Sequence, residues 1–108
     1  MTKLSEEALS ERLGRRAGWK REDGKWIVKK YRFAQFLDGI AFVQEVARIA
    51  EGELDHHPMI AIDYKMVTLR LTSWNAGGLT ELDFTAAARF DAIIAAATAG
   101  TGSEAAKN

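Results

Sequence analysis

The spacing of apolar residues along this chain switches between a helical and a strand period, and the switches divide it into elements. Leu4 precedes Ser5-Glu6-Glu7, an N-cap followed by negative charge in the first turn, with Leu4 placed to staple onto Leu9. A first helix therefore starts at Ser5 and ends near Gly14 to Gly18. Trp19–Glu22 and Lys25–Arg32 flank Asp23-Gly24, a dipeptide suited to the left-handed backbone of a tight hairpin, and predict two antiparallel strands. Alternation in the second is imperfect, since Trp26, Ile27 and Val28 are consecutive. From Phe33 the period lengthens: Phe36, Ile40, Val43, Ala47 and Ala50 line one side of a long helix that stops near Gly52. A second pair of strands follows, with Ile60, Ile62 and Tyr64 alternating in one and Val67, Leu69 and Leu71 in the other. After the turn at Asn75 to Gly78, Thr80 and Asp83 stand in capping-box relation. Leu82, Ala86, Phe90, Ile93 and Ala97 mark a last helix. The order is α-β-β-α-β-β-α, and three apolar helix stripes are most simply buried on one face of a four-stranded antiparallel sheet, an α+β fold.

Composition narrows the picture. The chain has 108 residues, enough for one domain over residues 1–98 but marginal without a partner copy, so a homodimer or homotetramer is expected. The small and polar residues from about Thr98 bury too little apolar area to offset their ordering entropy, which predicts a flexible tail over residues 99–108. Lys and Arg number 15 and Asp and Glu 15, so the net charge is zero, and neither nucleic acid nor an anionic membrane is an expected partner. The absence of cysteine excludes disulfides, thiolate metal sites and a cysteine nucleophile. The acidic N-terminus lacks the apolar core of a signal peptide, and no apolar run suffices to span a bilayer; a soluble cytoplasmic protein is expected.

Candidate chemistry gathers at one spot. Both histidines are adjacent and run into the chain's only proline, as His56-His57-Pro58. Imidazole exchanges protons near neutral pH, and two of them can act as donor and acceptor at once. Metal binding is discounted, because neighbouring residues of an extended segment point in opposite directions and no third ligand is evident. No cofactor is implied.

Beyond Pro58, five residues intervene before Tyr64, nine more before Trp74 and eight more before Asp83. This spacing, with the loop Asn75-Ala76-Gly77-Gly78-Leu79-Thr80, resembles the pattern of the pterin-4a-carbinolamine dehydratase family. Gly18-Trp19, Tyr31-Arg32-Phe33 leading to Phe36, and Phe42-Val43 are similar too, so the resemblance covers nearly the whole chain. It implies dehydration of a 4a-hydroxytetrahydropterin to a quinonoid dihydropterin during pterin recycling, without redox change or metal. It also implies that His56 and His57 bind the pterin and act as acid catalysts, with Asp83 as a carboxylate of the same site. Pro58, Tyr64 and Trp74 are then expected to contact the substrate. Two positions depart from the family's pattern: Trp74 stands where a third histidine is common, and Gly52 where a charged residue is common, with Glu51 and Glu53 on either side out of register.

Plainer readings stand beside these. Asp83 also serves as a helix-start carboxylate whether or not pterin binds, Tyr64 and Trp74 also fit as aromatics at strand ends, and Trp19, Trp26 and Phe33 as core or interface. Arg70 fits a solvated charge. The alternative function is a binding protein of the same fold, either a partner of a homeodomain transcription factor or an assembly chaperone for Rubisco with a protein client.

Overall fold

The computed structural model describes the backbone of residues 2–107 and side chains as far as Ala97. Its elements are α1 (Glu6–Gly14), β1 (Lys20–Glu22), β2 (Trp26–Arg32), α2 (Phe36–Ile49), β3 (Met59–Asp63), β4 (Met66–Leu71) and α3 (Glu81–Lys107). The strands form one antiparallel sheet in the order β1-β2-β4-β3, the α+β arrangement expected from the sequence. The change of character expected at Thr98 falls where side chains lie outside the described residues.

Local chemistry accounts for the element boundaries. Ser5 Oγ accepts a hydrogen bond from the Ala8 amide at 3.1 Å, which caps α1. Asp23 and Gly24 both take positive φ, 53° and 73°, the conformation of a tight hairpin turn between β1 and β2. In β2, Ile27 and Tyr31 point to the helices and are buried, while Trp26 lies on the opposite face, where its ring meets that of Trp74. That second contact explains why Trp26, Ile27 and Val28 could be apolar in succession. Tyr64, expected as the end of a strand, instead turns the β3–β4 hairpin with φ of 52°.

The core is a single cluster between the sheet and the helices, built on Ile27, Val67, Leu69 and Leu71 of the central strands and Phe42, Val46, Phe84 and Phe90 of α2 and α3. The buried stripe of α2 is Gly39, Phe42, Val46 and Ile49, one residue away from the stripe inferred from side chains alone. Of the residues expected to line it, Ala50 is buried and Val43 packs against the core, but Phe36 is 43% exposed and Ala47 is exposed. The cause is Gly39: a Cβ there would stand 3.3 Å from both Phe33 and Val67, so the missing side chain lets the helix lie close on β4, and counting apolar side chains passes over it.

One polar anchor holds the far end of this core. Asp91 of α3 accepts hydrogen bonds from Tyr31 Oη at 2.7 Å, Lys29 Nζ at 2.9 Å, Trp19 Nε1 at 3.1 Å and Arg16 Nη1 at 3.4 Å. Burial, and then the bond to Asp91, push the Tyr31 phenol far above its ordinary range.

Five surface carboxylates are held below the ordinary range by arginine hydrogen bonds: Glu6 by Arg21, Glu22 by Arg70, Glu45 by Arg48, Glu53 by Arg89 and Glu81 by Arg12. A carboxylate with a lowered folded-state pKa contributes stability above its unfolded value, and that stability is lost as pH falls through the folded value. The melting temperature is therefore expected to decline progressively below about pH 4.5, the unperturbed value for Glu. High salt is expected to flatten the decline, because these pairs are exposed. Thermal melts across pH 3 to 7 at two ionic strengths measure both.

Candidate active site

The segment that carries the histidines is set by what ends α2. The helix continues past Ile49 as a π turn over Ala50–Leu54 and stops at Asp55, whose backbone is left-handed at φ 48°. The His56 amide donates to the Ala50 carbonyl at 3.1 Å, and Pro58 confines His57 to extended backbone, so the two rings leave the chain in different directions. His56 is turned inward, with its side chain 13% exposed, and His57 outward at 55%.

Each ring is held by a carboxylate through the same nitrogen. His56 Nε2 lies 2.7 Å from Asp83 Oδ1, and His57 Nε2 lies 2.7 Å from Glu51 Oε1. An ionised carboxylate only accepts, which puts a proton on both Nε2 atoms. Among the described residues neither Nδ1 has a hydrogen-bond partner, so Nδ1 is the nitrogen each ring can offer to a bound molecule.

Asp83 is fully buried, and its second oxygen is equally committed. Oδ2 accepts from the Thr80 amide at 2.9 Å, the reciprocal arm of the predicted capping box, and from Ser73 Oγ at 2.8 Å. Ser73 Oγ also lies 2.8 Å from Thr80 Oγ1, which accepts from the Leu82 amide at 3.2 Å. The two readings of Asp83 thus coexist: one oxygen starts the helix and the other orients His56.

Asp55, His56, His57, Thr72–Ala76 and Leu82 line an open cleft of about 480 Å³, within the range of small-molecule sites. Trp74 stands at its rim on a short 3₁₀ turn (Trp74–Ala76), 77% exposed, with its ring edge-on to Trp26 at 5.2 Å between centroids. The fold brings together His56, His57, Trp74 and Asp83. It does not bring Tyr64, which turns the hairpin at the opposite end of β3, 67% exposed, with Lys65 Nζ 5.1 Å from its ring centre. Pro58 is half-buried between His57 and β3 and shapes the backbone without lining the cleft. Arg70, read as solvated, pairs with Glu22 at 2.8 Å on the open sheet face. Ser73 escaped the sequence reading, and Glu51 entered it only as a flanking carboxylate out of register with Gly52, not as the partner of His57. Ser73 adjoins Trp74 but carries no pattern of its own, and Glu51 is in register only once the π turn is known.

Paired imidazoles, each braced by a carboxylate at the edge of a cleft, are equipment for acid–base catalysis on a small molecule. The sequence model of the family described as "Pterin 4 alpha carbinolamine dehydratase" matches residues 2–93, and the chain belongs to that family of hydro-lyases. A relative from Chloroflexus aggregans, assigned by its name to the pterin-4-alpha-carbinolamine dehydratases, is 46% identical over 94 residues, covering 87% of this chain and 99% of that one. A crystal structure from Brucella melitensis, titled a transcriptional coactivator/pterin dehydratase, superposes with a TM-score of 0.81 at 33% identity over 85% of this chain and 98% of the other. A pterin dehydratase-like protein described as a RuBisCO assembly factor in the alpha-carboxysome superposes with a TM-score of 0.59 at 26% identity, covering 69% and 87%.

Proposed function

We propose that this chain dehydrates a 4a-hydroxytetrahydropterin to the quinonoid dihydropterin, with His56 and His57 as its acid–base pair. The observation that carries the reading is the 2.7 Å contact between His56 and the buried Asp83, on a ring that also lines the cleft. Asp83 holds its negative charge away from solvent, and a second proton on His56 neutralises the pair, which suits His56 to the role of donor. The proton on His56 Nδ1 passes to the hydroxyl oxygen as the C4a–O bond breaks and water leaves. The pair of electrons from the neighbouring ring N–H bond forms the new carbon–nitrogen double bond, and that proton passes to neutral His57 at Nδ1. One ring has lost a proton and the other gained one, so exchange with solvent restores the site and no oxidation state changes.

Trp74 supplies a flat apolar wall and an indole N–H, but no titratable group, so proton transfer falls to the two imidazoles. The chain's action as a homo-oligomer in pterin recycling is part of the same reading. All five residues of the edge strand β3 are exposed, including Met59, Ile60 and Ile62, which supports self-association. Among the described residues no helix is long and apolar enough to cross a membrane, and a cytoplasmic location accords with that.

The test is direct. Freshly generated 4a-carbinolamine, mixed with the full chain, is expected to yield quinonoid dihydropterin faster than in buffer, followed by its absorbance. A rate equal to that of buffer would overturn the proposal.

A further inference from the structure

The carboxylate on His57 comes from a place the linear pattern does not indicate. Four residues before His56 stands Gly52, where an added Cβ would meet open space, and the flanking acids Glu51 and Glu53 are one position off on either side. The backbone here is not α-helical. Over Ala50–Leu54 it forms a π turn, in which the amides of Asp55 and His56 both donate to the Ala50 carbonyl. A π turn closes on the fifth residue where an α turn closes on the fourth, so it takes up one more residue. A side chain that α geometry would present four residues before His56 is presented five before it, and that residue is Glu51.

The two flanking acids are then put to different uses. Glu53 bonds Arg48 at 3.0 Å and also Arg89, and those cations hold its carboxyl below the ordinary range. Glu51 has no cationic side chain within ion-pair distance among the described residues, and its contact is His57 Nε2 at 2.7 Å. Resting on the dehydratase reading above, the geometry points to Glu51 as the positioning residue of His57, moved into register by the π turn in place of a side chain at Gly52. It acts through His57: by holding Nε2 it fixes the ring so that Nδ1 faces the substrate.

Steady-state dehydration by the full chain tests this, comparing wild type with Glu51→Ala, His57→Ala, the Glu51→Ala/His57→Ala double variant, and Glu53→Ala as a matched loss of one surface charge. Glu51→Ala is expected to lower kcat about tenfold with KM nearly unchanged, as for a partner that orients a reacting imidazole. The same substitution is expected to have no further effect once His57 is alanine, and Glu53→Ala is expected to keep the wild-type kcat. Wild-type kcat in Glu51→Ala, or an equal loss with and without His57, overturns the assignment and leaves the dehydratase reading standing. A wild-type chain that does not accelerate dehydration removes both.

Discussion

Replacing both imidazoles, His56→Ala together with His57→Ala, is expected to return quinonoid dihydropterin release to its rate in buffer. A positioned acid or base contributes roughly a hundredfold to ten-thousandfold, so each single variant should retain a measurable residue of activity and the pair none. The singles separate chemistry from folding. His57 is half exposed and its partner Glu51 lies in solvent, so His57→Ala should lose about a hundredfold in kcat with its melting temperature unchanged. His56→Ala leaves one oxygen of a fully buried carboxylate without its partner and should also lose stability, by about 1–3 kcal/mol. Activity at the wild-type level in His57→Ala would show that the proton transfers take place elsewhere.

Asp83→Asn should abolish nearly all turnover while keeping the fold. An amide oxygen in place of Oδ2 can still accept from Ser73 and from the Thr80 amide, so the helix start survives. The amide nitrogen then faces His56 Nε2 and requires it to accept, which moves the ring's proton to Nδ1 and removes the counter-charge for a second one. A ring whose Nε2 must accept cannot take up a second proton, and neutral imidazole is a far weaker acid than imidazolium, so a loss of about a thousandfold in kcat is expected. Asp83→Ala, by contrast, removes the cap as well and should cost about 2–4 kcal/mol of stability. Chemical denaturation of both variants beside their kinetics distinguishes the two effects, and an Asp83→Asn variant with wild-type kcat would refute the role given to Asp83.

Much of this was readable in the chain. Ser5, Asp23-Gly24 and the Thr80/Asp83 pair are local devices whose geometry depends on few neighbours, and each appears where the sequence puts it. The tie between His56 and Asp83 was legible through spacing and resemblance. What escaped depends on backbone or on distant partners. The buried stripe of α2 is displaced because Gly39, with no side chain to count, packs against Phe33 and Val67 with little room for a Cβ. Tyr64 reads as a strand residue because its apolar neighbours alternate, yet the hairpin needs one residue of positive φ and takes it there. Asp91 and Ser73 gather partners from across the fold, which no periodicity records.

Asp91 lies eight residues beyond Asp83 on α3, roughly 12 Å along the helix axis at 1.5 Å per residue. One acid of this helix fastens the scaffold and the other holds His56 at the cleft, and among the described residues they share no hydrogen-bond partner. Such a division of labour lets residues at the rim change while the architecture endures. A descendant could surrender catalysis altogether and still inherit a sound body for some other errand.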